Sequence, residues 1–180
     1  MAAYCAGDRL AFEQLYARLG PKLHGFFMRS FNNDAVAADL LQTTLLKVHR
    51  ARADFRGDLA LRPWVFAIAA RVRLDEYRKR RQLSEELDED AFAHLEEGAA
   101  TDVAEQQVEF AERAERVRRA VADLPESQRI IIHLHRFENM SFAEIATILG
   151  TTEGAVKLRA FRGYERLRQE LRPLLSPEAS

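Results

Sequence analysis

Between Met140 and Lys157 the chain reads Met-Ser-Phe-Ala-Glu-Ile-Ala-Thr-Ile-Leu-Gly-Thr-Thr-Glu-Gly-Ala-Val-Lys, and this run leaves little freedom in how it folds. Ser141 followed by Glu144 is a capping box, in which each side chain satisfies the other's backbone N–H and fixes the start of a short helix. Gly150 can take the positive φ that ends such a helix in a tight turn. Thr152 is placed to cap the helix that follows. Ala146 is small enough for the second helix to cross closely, and Val156 is the apolar residue that packs back on the first. A small residue, a glycine and an aliphatic residue at these offsets describe a helix-turn-helix.

In the second helix Val156, Ala160, Leu167 and Leu171 form the inward stripe. Lys157, Leu158, Phe161, Arg162 and Arg166 fall on other faces, with Arg159 near the boundary. Arginine and lysine address guanine edges or phosphates, and an aromatic touches a thymine methyl or a sugar. For an isolated basic helix, solvated arginines are the better reading. Placed after a capped helix and a glycine turn, this face suits the DNA major groove.

The rest of the chain is also patterned for helices. Leu10, Phe12, Leu15, Tyr16 and Leu19 recur at helical spacing behind Asp8, a suitable N-cap, and Gly20-Pro21 is expected to end that helix. A short helix over 22–30 should follow. Asn32-Asn33-Asp34 then turns into a third helix, to about Arg52, with Val36, Leu40, Leu41, Leu45 and Val48 as its stripe. Residues 54–62 read as a loop, and Pro63 suits the first turn of a fourth helix running to about Arg81. Thr101-Asp102 caps another helix that stops before Leu124-Pro125, and three more span about 126–137, 142–149 and 153–171. No strand pattern is present. The expected fold is all-α: two small helical domains, residues 1–81 and 102–175, joined by an acidic flexible linker at 82–101.

Charge is segregated along this frame. The formal net charge is only -1, which excludes a simple polybasic binder. Yet 71–81 holds six basic residues, the stretch from Glu85 to Glu112 carries eleven acidic residues and no lysine or arginine, and 157–172 is basic again. Hydrophobic residues make up 47%, enough for a packed core. A single cysteine, Cys5, excludes an internal disulfide and suits a reducing cytoplasm. Without a signal-peptide pattern or a membrane-length apolar run, a soluble cytoplasmic protein is expected. Enzyme chemistry has little to stand on. His133 and His135 lie two apart and point to different helix faces, while His24, His49 and His94 have no ligand constellation near them. No phosphate-binding loop or nucleophile–base signature occurs, so neither cofactor nor metal is expected.

The N-terminal half carries a second candidate nucleic-acid surface. The loop Phe55-Arg56-Gly57-Asp58 precedes Arg62-Pro63-Trp64-Val65-Phe66-Ala67-Ile68-Ala69-Ala70-Arg71 and then Asp75-Glu76-Tyr77-Arg78-Lys79-Arg80-Arg81. Aromatic and basic residues together suit single strands, by stacking and phosphate contact. Each aromatic taken alone fits equally well in a core.

Both halves resemble the extracytoplasmic-function sigma factors of bacterial RNA polymerase, over nearly the whole chain. The resemblance implies that the Asp-Leu-x-Gln helix docks on the β′ clamp helices of core polymerase, through Asp39, Leu40, Gln42 and Leu46. The Trp-x-x-x-Ile-Ala segment and the loop before it would melt and read the −10 element, through Phe55, Arg56, Trp64, Arg71 and Arg78. Leu124-Pro125-Glu126-Ser127-Gln128-Arg129 opens a segment similar to region 4. Its helix-turn-helix would read the −35 element, through Thr152, Lys157, Leu158, Arg159, Phe161, Arg162 and Arg166. Implied partners are core polymerase (the β′ clamp helices and the β flap), promoter DNA and an anti-sigma factor, with no membrane contact except through a membrane-bound anti-sigma factor. Three departures stand out: Thr43-Thr44-Leu45 for Glu-Thr-Phe, Arg71 for asparagine and Leu158 for serine. An ordinary helix-turn-helix regulator leaves Arg71–Arg81 without a task, and a sigma mimic has no need of the basic face on the last long helix.

Overall fold

The computed structural model describes residues 2–5, 7–55, 60–86 and 105–175, and among these every regular element is a helix. A short helix α1 (Ala2–Cys5) leads into α2 (Arg9–Phe31), α3 (Asp34–Arg50) and α4 (Leu61–Glu86), with a 3-10 turn at Ala51–Asp54. The C-terminal half comprises α5 (Glu105–Ala122), α6 (Glu126–Ile132), α7 (Phe142–Leu149), α8 (Glu153–Glu170) and α9 (Arg172–Leu175). A π turn, His133–Phe137, extends α6.

Local chemistry sets most of the ends. The Asp8 carboxylate accepts from the N–H groups of Leu10 and Ala11 to start α2, and Asn33 accepts from Val36 N–H to start α3. Between them Asn32, at φ 47°, ends α2 in the left-handed conformation that asparagine tolerates.

Two helices run further than the sequence pattern suggests. Gly20-Pro21 does not end α2; Pro21 lies inside it. Proline removes one backbone hydrogen bond and costs about 3 kcal/mol in a helix interior. Leu15, Leu19, Leu23, Phe26 and Phe27 are all buried along this helix, on both sides of the proline. At roughly 1.5–3 kcal/mol per buried side chain, a continuous helix outweighs that loss. Helix α4 continues to Glu86 rather than stopping at Arg81, because no glycine or proline interrupts 71–86 and good helix formers continue through it. The first residues assigned to the linker are therefore helical. The remainder of that linker, 87–101, lies outside the described residues, as do the Thr101-Asp102 cap and Arg56.

Helices α2, α3 and α4 pack on one another, with Phe26, Phe27 and Phe66 fully buried and Phe26 edge-on to Phe66 at 5.7 Å. In the second half α8 crosses α6 and α7, and the shared core includes Ile131, Ile145, Ile148, Val156 and Ala160. Gly163 makes the α6 crossing close: a Cβ there would lie 2.9 Å from Ile132 Cδ1. The two halves are not held apart. Helix α4 lies against α7, and one apolar cluster runs through both.

Candidate nucleic-acid interface

The helix-turn-helix forms as its residues require. Ser141 Oγ accepts from Glu144 N–H, while the Glu144 carboxylate accepts from Ser141 N–H at 2.8 Å. The bond from Ser141 N–H first, and then the Ser141 hydroxyl donating to the same carboxylate at 2.8 Å, hold the Glu144 carboxyl below its ordinary range. Gly150 ends α7 at φ 61°, and Thr152 Oγ1 accepts from Ala155 N–H at 3.2 Å to open α8. Val156 and Ala160 are buried beneath α8.

Burial of that stripe settles what faces outward. Lys157, Leu158, Phe161, Arg162 and Arg166 are exposed, Phe161 at 64%, and Arg159 is half-buried at the edge. Thr152 is exposed with its hydroxyl oxygen engaged in the cap. Lys157 pairs with Glu153 at 2.7 Å across one turn, both ends solvated. Such an exposed pair is worth well under about 1 kcal/mol and yields readily to a phosphate or a base. Among the described residues Arg162 and Arg166 have no ion pair.

In the N-terminal half the ring of Phe55 meets Trp64 edge-on, with centroids 5.0 Å apart. Both are half-buried, so the aromatic pair sits at the entrance to α4 rather than inside the core. Arg71 and Arg78, two turns apart, are exposed together on α4. The basic block beside them is divided by the helical period. Arg73 is fully buried, and Arg80 bonds Glu76 at 2.7 Å and covers the ring of Phe31.

On α3, Asp39, Gln42 and Leu46 are exposed at spacings that share one face, with Leu46 at 51%. Leu40 is not part of that face. It is 8% exposed and packs in the core with Ala37, Leu41 and Val48. Buried Thr44 bonds back to the Leu40 carbonyl at 2.7 Å.

A further cluster was not foreseen from the sequence. Arg73 bonds Ser30 Oγ at 2.6 Å, pairs with Glu126 of α6, and lies over the rings of Phe26 and Tyr77. Arg129 bonds both Tyr77 and Glu126. Nearby, Glu138, 3% exposed, is held by Arg29 at 2.7 Å and Arg62 at 3.4 Å. Burial lowers the Arg73 pKa to about 9, which leaves it charged at neutral pH. Burial, reinforced by the positive charges of Arg73, Arg29 and Arg129, lowers His133 to about 3, so it stays neutral. His133 and His135 have separate surroundings: the first meets Phe137, and the second stacks on Phe142 at 4.4 Å. The pairs that cross between the halves lie 52 to 109 residues apart, and no local pattern announces them.

The structure thus joins a capped helix-turn-helix with a basic outer face to a helical unit that exposes aromatic and basic residues. Comparison with known proteins narrows the class. Residues 15–83 match sigma-70 region 2 and residues 114–167 match sigma-70, region 4. RNA polymerase sigma factor CarQ of Myxococcus xanthus is 35% identical over 171 residues, covering 95% of each chain. ECF RNA polymerase sigma factor SigM of Mycobacterium tuberculosis is 33% identical over 167 residues, 93% of this chain and 80% of that one. Among solved structures, CnrH in complex with the cytosolic domain of CnrY superimposes with TM-score 0.71 at 28% identity, covering 96% and 94% of the two chains. The sigma factor RpoE in complex with the anti-sigma factor NepR, from Bartonella quintana, gives 0.67 at 25% identity, covering 90% and 97%. The chain belongs to the extracytoplasmic-function sigma factors of bacterial RNA polymerase. It is an alternative sigma factor, a transcription-initiation factor. Among the described residues no helix is long and apolar enough to cross a membrane.

Proposed function

We propose that this sigma factor joins core polymerase through the exposed α3 face of Asp39, Gln42 and Leu46, and directs it to promoters with two reading surfaces. Residues 1–81 act as region 2. There Phe55, Trp64, Arg71 and Arg78 hold the separated −10 strand, the aromatics stacking on bases and the arginines meeting phosphates. Residues 102–175 act as region 4. Lys157, Leu158 and Phe161 enter the major groove of the −35 element, with Arg162 on a phosphate beside them and Arg159, Arg166 and Thr152 further along the backbone. Leu40 supports the docking face from beneath.

The observation that carries this reading is the outward, solvated array on α8 over the buried Val156, Ala160 and Gly163. The likeness to two sigma factors solved with CnrY and NepR supports control by an anti-sigma factor that competes for the same surfaces.

Run-off transcription with purified core polymerase tests the proposal. The full chain should give promoter-dependent transcripts. Leu46→Asp with Gln42→Ala should lose core binding while keeping its helical circular dichroism, since both side chains are exposed. Normal core binding by that variant would remove the α3 face from the interface.

A further inference from the structure

Helical phase sorts the side chains of α8 more finely than into inside and outside. Val156, Ala160 and Gly163 are buried where α8 crosses α6 and α7. At about 3.6 residues per turn, Gly154, Leu158 and Phe161 fall diametrically opposite them, along the line furthest from the core. Leu158 is 51% exposed and Phe161 64%, a large apolar pair held out in water. Lys157 flanks this ridge on one side and Arg162 on the other, with Arg166 beyond it; all three are exposed.

Gly154 stands at the head of the same ridge, and nothing inside the protein calls for it. A Cβ there would meet no atom within 4 Å, and its φ is not among the positive ones. What the missing side chain does allow is a close approach of the α8 backbone to an outside surface.

None of these three residues carries a side-chain donor or acceptor. The outermost line of α8 therefore cannot read base edges by hydrogen bonding. In the major groove the apolar group a base offers is the C5 methyl of thymine. An exposed apolar patch can also mark a protein contact, but cations on both flanks suit the phosphate walls of a groove better. Spacing agrees. Leu158 and Phe161 are three residues apart, a rise of about 4.5 Å along the helix, close to the step of about 3.4 Å between neighbouring base pairs.

We infer that the upstream reading surface selects two neighbouring thymines by their methyl groups, Leu158 covering one and Phe161 the next. Lys157 and Arg162 then meet the polar edges and phosphates beside them. This selection rests on α8 lying in the upstream major groove, as proposed above. Leu158 stands where the family pattern has serine, whose hydroxyl would place a hydrogen-bonding group on the ridge. The methyl preference is therefore a property of this chain's own residues.

The test uses holoenzyme assembled from the full chain and core polymerase, on duplex promoters varied only upstream. Selection from a randomised upstream library should enrich two neighbouring thymines. Replacing them with 2′-deoxyuridine removes each methyl and leaves every hydrogen-bonding group in place. Each methyl lost should weaken promoter binding about fourfold, measured against the same replacement outside the upstream element. Leu158→Ala should abolish the penalty at one of the two positions and Phe161→Ala at the other. Both side chains are exposed, so both variants should keep the helical circular dichroism of the parent. Uracil that costs nothing in the unaltered protein, or costs the same in both folded variants, overturns the methyl selection and leaves the ridge to a protein partner. If Lys157→Ala still shifts the ranking of upstream sequences in that case, α8 remains in the groove and only the thymines are lost. A ranking that none of Lys157→Ala, Leu158→Ala and Phe161→Ala changes overturns the placement of α8 itself.

Discussion

Arg73 and Arg162 carry the same guanidinium, each on a long basic helix, yet they stand in opposite conditions. Arg73 is fully buried among Glu126, Ser30 and two aromatic rings, whereas Arg162 is exposed with no ion pair among the described residues. The difference comes from helical phase. Arg71 and Arg78 lie seven residues apart and share the solvent side of α4, while Arg73 falls on the opposite side. A basic block on a helix is therefore not a single surface. In this protein one part faces solvent and another part bridges the two halves.

The strongest way to break this comparison is to remove each guanidinium in turn. Arg73→Ala should destabilise the folded chain by about 3 kcal/mol, since it removes one of the two cations on Glu126 and empties a fully buried site. Arg162→Ala should stay within about 0.5 kcal/mol. Urea denaturation reads both, and equal losses would erase the distinction. In promoter binding the order should invert. Arg162→Ala should weaken all upstream sequences alike and lower the salt slope by about one. Lys157→Ala and Leu158→Ser should instead alter the ranking of upstream sequences, by about 1–3 kcal/mol at one position. An unchanged ranking in transcription from promoters varied only upstream would show that the reading face is wrongly assigned.

The smallest effect sharpens the buried side. His133 is neutral in the folded chain, its pKa lowered from 6.5 to about 3. Above about pH 6.5 neither the folded nor the unfolded form binds this proton, and the folded state bears no penalty. As pH falls below that value, the unfolded chain takes up a proton that the folded one does not. Stability should then fall by up to about 1.4 kcal/mol per pH unit from this residue. His133→Gln should show a shallower decline between about pH 6.5 and pH 5. Equal slopes would mean that His133 can be protonated in place.

The helix-turn-helix was legible almost to the residue, because Ser141, Glu144, Gly150 and Thr152 act through neighbours within one turn. The α3 docking face was legible less completely. Family resemblance groups Leu40 with Asp39, Gln42 and Leu46, but helical phase turns Leu40 into the core. Gly20-Pro21 misled in the other direction. Its local preference to end a helix gave way to apolar burial on both sides of the break, which only packing reveals.

Taken alone, the sequence determined the helical class, the division into two helical units, the capped turn before α8 and the sign of the charge on its outer face. Each of these follows from short-range rules of period, capping and conformational freedom. Only the tertiary structure decided that the halves close on each other, that Arg73 faces inward, and that Glu126 and Glu138 complete a charged contact with the other half. Those pairings join side chains 53 to 109 residues apart, and their strength comes from the removal of water where two surfaces meet. That condition belongs to neither surface by itself, so no local pattern of residues encodes it.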